Sequence, residues 1–198
     1  MYKPTTDEIK KLRETTFAPM IQCKEALVTT EGDFKKAITW LNEKGLIKAA
    51  SKSERITGAG VIDAYIHNGA QVGVLLDLRC ETDFVAKNEE FKKLSHDLCL
   101  QIASMNPLWV SQEDVPSEVV SEKKVIWEKE LREQEKSENM FEKIIQGKLD
   151  GFYKENCLLS QIYFRDEEGK LTIKNLIGQT IAKTGENVKV ANFTRFSI

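Results

Sequence analysis

The sequence predicts an α+β protein: a three-helix N-terminal bundle, then an α+β core with a largely antiparallel sheet and a charged helical hairpin. Three observations carry this. Apolar residues in the first 45 positions recur at helical spacing. Beyond residue 60 the pattern changes to β-branched and aliphatic runs separated by Asn68-Gly69. A charge-dense stretch then precedes a second apolar helix, strand signals and a closing β-rich run.

In the N-terminal bundle, Thr5 and Glu8 have the spacing of a capping box, and Ile9 and Leu12 share a face of the helix that follows. Thr16-Phe17-Ala18-Pro19 breaks that helix, and Pro19 suits the first turn of a second one carrying Met20, Cys23 and Leu27 on one face. Asp33 is placed to cap a third helix, with Phe34, Ala37, Ile38 and Leu41 inward and Gly45 as its stop. The N-terminal module is therefore assigned to residues 1–47, a Ser-, Lys- and Gly-bearing linker to 48–60, and the core to 61–198.

In the core, Val61–His67 and Gln71–Cys80 read as strands joined at Asn68-Gly69, a strong hairpin signal. Glu81–Lys87 reads as a short polar connection. The next helix buries Phe91, Leu94, Leu98, Ile102 and Met105 and ends at Asn106-Pro107. Glu122–Glu138 reads as a solvated helix with a narrow apolar seam. A shorter helix with Phe141, Ile144, Ile145 and Leu149 inward completes a projecting hairpin. Leu158–Phe164 reads as a strand, Thr172–Lys183 as a helix with Leu176, Ile177 and Ile181 inside, and Val188–Phe196 as the closing strand. No internal repeat is visible.

Composition narrows function by exclusion. The chain has 198 residues, 41% hydrophobic and 30% charged, enough for a real core. No run approaches the roughly 18 apolar residues of a membrane helix, so no membrane association is expected. Met1–Thr6 lacks the apolar run of a secretory leader, which predicts a cytoplasmic protein, or one of an organelle matrix. The net charge is −2, and the basic excess is confined to the first 55 residues, with 11 Lys or Arg against 8 Asp or Glu. That balance argues against general nucleic-acid binding. Cys23, Cys80, Cys99 and Cys157 are scattered and read as small buried hydrophobes.

The catalytic inventory is thin. His67 falls at the hairpin tip and His96 on a helix, neither at a metal-ligand spacing or beside a nucleophile. Gly58-Ala59-Gly60 lacks the third glycine and the Lys-Ser/Thr of a phosphate loop. No enzyme activity, cofactor or metal is expected. Thr82-Asp83-Phe84-Val85 is different, since it sets a bulky aromatic beside a carboxylate in a connection between a strand and a long helix. Phe84 either folds back onto the core or is offered to a partner as an anchor held by rigid flanks.

Cys80-Glu81-Thr82-Asp83-Phe84-Val85-Ala86 resembles the central motif of the elongation factor Ts family. Leu12-Arg13-Glu14-Thr15-Thr16, Met20–Leu27, Gly45–Ala50 and the closing Thr194-Arg195-Phe196 are similar to further family patterns, in order along the chain. The resemblance implies a ubiquitin-associated-like N-terminal module joined to a dimerisation core. It also implies a partner, the GTPase elongation factor Tu, whose GDP the factor helps release during translation elongation. Carried over, Thr82, Asp83, Phe84 and Val85 form the motif that intrudes near the GTPase's magnesium and phosphate site, with Asp83 and Phe84 foremost. Arg13, Met20 and Ile21 fall on positions with which the module grips the GTPase. His67 and Asn68 lie near a further contact position. Phe17 and Pro19 stand where the family has glycines, and Gln22 where it has an aspartate, so the first turn is differently shaped and Phe17 is a candidate added contact. The single core copy implies a homodimer that binds two GTPase molecules. The competing reading is a ubiquitin-associated-type binding module without exchange activity.

Overall fold

The structure is a computed structural model. Residues 2–16, 18, 20–50, 52, 54–134 and 136–198 are described, the side chains of 45–50 excepted. Phe17, Pro19, Ser51 and Ser53 lie outside this set, and with them the contact expected of Phe17, the helix start expected of Pro19 and part of the expected linker.

Three helices open the chain: α1 (Thr6–Thr16), α2 (Met20–Thr29) and α3 (Phe34–Ala50). The capping box forms as the spacing requires. The Thr5 N–H donates to Glu8 Oε2 at 2.7 Å, and the Glu8 N–H donates to Thr5 Oγ1 at 3.3 Å. Asp33 Oδ1 likewise accepts the Lys36 N–H at 3.0 Å at the start of α3. Leu12, Cys23, Ala26, Leu27, Ala37 and Leu41 close a small core of their own. Gly45 does not stop α3, which continues to Ala50. A glycine inside a helix costs only about 1 kcal/mol relative to alanine, and the helix gains a packing surface along its length. The expected linker of 48–60 is shortened from both sides, since α3 takes its first residues and the first strand begins at Ala59.

The core is one sheet of three antiparallel strands in the order β1 (Ala59–Ile66), β2 (Val72–Cys80), β3 (Val188–Ser197). The hairpin connection is five residues long. The Ala70 N–H donates to the His67 carbonyl, and Gly69 (φ 86°) sits where a left-handed residue is needed. Between β2 and β3 the register shifts at Asp77/Leu78, because Val190 pairs with Leu78 and Asn192 with Asp77, leaving Ala191 as the bulged residue. The bulge reverses the alternation on β3. Val188, Val190 and Phe193 all reach the core, Arg195 Nε donates to the Ala103 carbonyl on the same side, and Thr194 and Phe196 turn outward.

The helix α4 (Asp83–Ala86) follows β2, and α5 (Glu89–Met105) lies across the inner face of the sheet beside α8 (Ile173–Thr184). Phe91, Leu94, Leu98 and Ile102 are buried as the spacing predicts, while Met105, in the last turn, is half exposed. The helices α6 (Ser117–Glu133) and α7 (Phe141–Asn156) pack against each other through Leu131, Ile145 and Leu149. Leu158–Phe164 is not a strand. Leu158–Ser160 forms a 3-10 turn and Ile162 makes a single bridge to Thr172. The polar side chain of Gln161 explains the change. It is buried, accepting from Gln101 and donating to the Glu155 carbonyl, which ties the segment to helix ends rather than to a sheet edge.

The two modules meet along α3 and α8, where Gln179 Nε2 donates to Asn42 Oδ1 at 3.3 Å. At the α1–α2 junction, Thr16, Ala18 and Gln22 line a small crevice with Ala182 and Lys183 of α8.

Candidate partner-binding site

The Thr82-Asp83-Phe84-Val85 segment forms a single helical turn rather than an irregular connection. Thr82 is its N-cap in extended conformation, and the Ala86 and Lys87 N–H groups donate to the carbonyls of Thr82 and Asp83. A helical turn sends successive side chains about 100° apart, so burying two neighbours leaves the other two facing water. Val85 and Ala86 join the core cluster. Asp83 is exposed, and Phe84 is 83% exposed. The ring's apolar surface is left in water, where burial against another surface would gain about 1.5–3 kcal/mol. Phe84 therefore does not fold back onto its own core. Val85 does, packing into the core cluster beside Ala86.

Both flanks of the turn are rigid. Upstream it continues the central strand β2, and Cys80 Sγ donates to the Thr82 carbonyl at 3.1 Å. Downstream, Asn88 caps α5 by accepting the Glu90 N–H at 2.8 Å. Asp83 Oδ2 accepts from Lys87 Nζ at 2.7 Å, and this bond holds the Asp83 carboxyl below the usual aspartate range. Asp83 is thus a carboxylate at neutral pH beside an aromatic ring.

Sequence reasoning missed the residues that hold this turn in place. Glu186, in the α8–β3 connection, accepts the Thr82 N–H at 2.9 Å and the Thr82 hydroxyl at 2.6 Å. Its neighbour Asn187 donates its N–H to Glu81 Oε1 at 2.6 Å and its side-chain amide to the Arg55 carbonyl at 3.1 Å. Arg55 in turn reaches Glu81 at 3.5 Å. No local signal could reveal contacts made across 104 residues of chain.

The other candidate residues divide into two groups. Arg13 is exposed, Met20 is 41% exposed and Ile21 is 74% exposed, all on the bundle whose α1–α2 junction lies against the end of α8. That end leads directly into Glu186 and Asn187. His67 and Asn68 are exposed but lie at the far tip of the hairpin, since Ala59 pairs with Cys80 at its base. Eight paired residues put the tip about 25 Å from the Phe84 turn at the usual strand rise. Tyr65 orients His67, with its hydroxyl 2.9 Å from Nδ1, and His96 meets the Tyr65 ring edge-on.

A second exposed apolar area covers the outer face of the sheet. Ile66, Gly73 and Phe196 form one cross-strand row, and Ala64, Leu75 and Thr194 the next. Phe196 is 71% exposed, Ile62 and Ile66 nearly as much, and no element among the described residues covers them. Among the described residues, no group of three or more His, Cys, Asp or Glu could hold a metal ion. No helix among them is long and apolar enough to cross a membrane.

Sequence comparison finds relatives over nearly the whole chain. The family described as Elongation factor TS matches residues 3–198. The elongation factor Ts of Petrotoga mobilis is 50% identical over 192 residues, covering 97% of this chain and 96% of that protein. Those of Fervidobacterium nodosum and Thermoanaerobacter sp. (strain X514) are each 47% identical, over 190 and 188 residues, with at least 91% of each relative covered. The chain belongs to the elongation factor Ts family.

Proposed function

We propose that this protein is a guanine-nucleotide exchange factor for elongation factor Tu, and that it releases GDP by presenting Asp83 and Phe84 to the GTPase's magnesium-phosphate site. The observation that carries the reading is the outward Phe84 ring on a turn whose neighbours are buried. GDP is held by magnesium-neutralised phosphates and loop amides. A wedge that displaces those elements weakens the nucleotide, and linkage makes the nucleotide weaken the factor by the same factor. Each tenfold in affinity corresponds to about 1.4 kcal/mol, so an acceleration of several orders of magnitude needs only a few kcal/mol of coupling. No covalent step or proton transfer is required, so the protein acts without being an enzyme. Arg13, Met20 and Ile21 form the accompanying grip. Their exposure on the bundle supports it, as does the packing of that bundle against α8.

The factor is proposed to act as a homodimer through the outer sheet face, giving a complex with two GTPase molecules. The uncovered rows of Ile62, Ile66, Leu75 and Phe196 support this, because an apolar sheet face of that kind is ordinarily covered. The test is release of labelled GDP from elongation factor Tu. Acceleration that Phe84→Ala lowers by about tenfold or more supports the wedge. Binding without acceleration would favour a plain ubiquitin-associated-type module. For the dimer, light scattering of Leu75→Glu is expected to give half the wild-type mass, and an unchanged mass would refute that face.

A further inference from the structure

We infer that Glu186 is a positioning residue for the Phe84 turn, replacing the cap that the turn does not make for itself. The inference rests on the wedge reading of Phe84 and adds the device that aims it. Thr82 occupies the N-cap position, yet its hydroxyl makes no capping bond to the turn. Instead its N–H and hydroxyl both donate to the two oxygens of the Glu186 carboxylate. One charged group thus fixes the residue two positions before Phe84 in both backbone and side chain. Hydrogen bonds to ionised acceptors are the stronger kind.

The arrangement is reciprocal. Asn187 returns an N–H to Glu81, so Glu81-Thr82 and Glu186-Asn187 grip each other crosswise. Glu186 is placed for this by Gly185, which ends α8 in left-handed conformation (φ 79°), a geometry that turns the chain back towards β2. The linker joins the same knot. The Arg55 carbonyl accepts from Asn187, the Arg55 guanidinium reaches Glu81, and Lys52 donates to the Gly185 carbonyl. The connection from the N-terminal module, the end of α8 and the base of the wedge are therefore one hydrogen-bonded unit. A side chain 83% exposed makes few contacts of its own, so its direction is set at this base.

Two measurements on the full-length protein test the inference. The first is backbone amide hydrogen exchange at Thr82–Ala86. Glu186→Ala is expected to expose the Thr82 amide and raise exchange through Ala86, with the amides of β1 and β2 unchanged. Glu186→Gln, whose amide can accept the Thr82 N–H and donate to its hydroxyl, is expected to retain most of the protection. Wild-type protection in Glu186→Ala would overturn the inference whatever Phe84 does.

The second is GDP release from elongation factor Tu, titrated with the factor. Glu186→Ala removes two charge-assisted bonds and is expected to lower the maximal acceleration at least about tenfold, with the half-saturating concentration changed less than about twofold. Added to Phe84→Ala, it is expected to have no further effect. Additive losses, or a change confined to half-saturation, would overturn the positioning role. If Phe84→Ala alone leaves release at the wild-type rate, the wedge reading itself fails, and the two failures are told apart.

Discussion

Removing the Phe84 ring separates a side chain that serves the fold from one that serves a partner. Phe84 is 83% exposed, so Phe84→Ala leaves no cavity. Its stability cost is expected to stay within about 0.5 kcal/mol, or about 2 °C in melting temperature. The effect on exchange is worked from the same number. Burying a whole phenylalanine gains about 1.5–3 kcal/mol, and the exposed share of this one brings that to about 1.2–2.5 kcal/mol. If the ring is buried only as the nucleotide leaves, that converts to roughly 8- to 70-fold in kcat/KM for GDP release. The assay is stopped-flow release of fluorescent GDP from elongation factor Tu at several factor concentrations, beside a thermal melt. A loss below about twofold, or a large loss accompanied by a collapse in melting temperature, would refute the reasoning.

Three further expectations follow from packing and electrostatics. All four cysteines are buried, and burial pushes the Cys99 thiol up to about 12 and the Cys157 thiol to about 11, so a thiol reagent at pH 8 should label none quickly in native protein and all four after denaturation. Asp166 accepts the Leu171 and Lys170 N–H groups, and Glu90 accepts from Lys183; both carboxyls are held below their usual ranges, the first chiefly by the Leu171 bond and the second by the Lys183 bond. Their stabilisation is therefore complete above the unfolded values near about pH 4 and is lost as the pH falls through the depressed ones, so melting temperature should drop there and Asp166→Asn should flatten the drop. A Cβ on Gly60 would sit 2.3 Å from the Leu78 carbonyl oxygen, in the partner strand's backbone. Gly60→Ala should cost about 1–3 kcal/mol, or roughly 2–12 °C in melting temperature, and an unchanged melt would show that β1 lies farther from β2.

How much of this was legible in the sequence depended on the range of the forces involved. Capping at Thr5 and Asp33, the periodic faces of α5 and α8, and the hairpin strands are local signals and appear where the residues placed them. Gly45 and Leu158–Phe164 depart from their local signals because tertiary contacts override local preference: α3 gains by packing on α8, and buried Gln161 is held by side-chain and carbonyl partners. The bulge at Ala191 has no sequence mark, yet it decides that Phe196 faces outward. At the site, the motif was legible but the direction of its side chains was not. Periodicity is undefined over four residues, so only coordinates separate buried Val85 from exposed Phe84. Glu186 was invisible for a different reason, because its partner is distant in sequence and its identity is unremarkable for a surface loop.

A photo-reactive benzoylphenylalanine at position 84 tests the wedge most directly, since it reports what that side chain touches while GDP is leaving. Irradiation with elongation factor Tu is expected to give an adduct within the GTPase's nucleotide-binding region, lost when excess GDP and magnesium are added. An adduct elsewhere on the GTPase, or none from a factor that still accelerates GDP release fully, would contradict it.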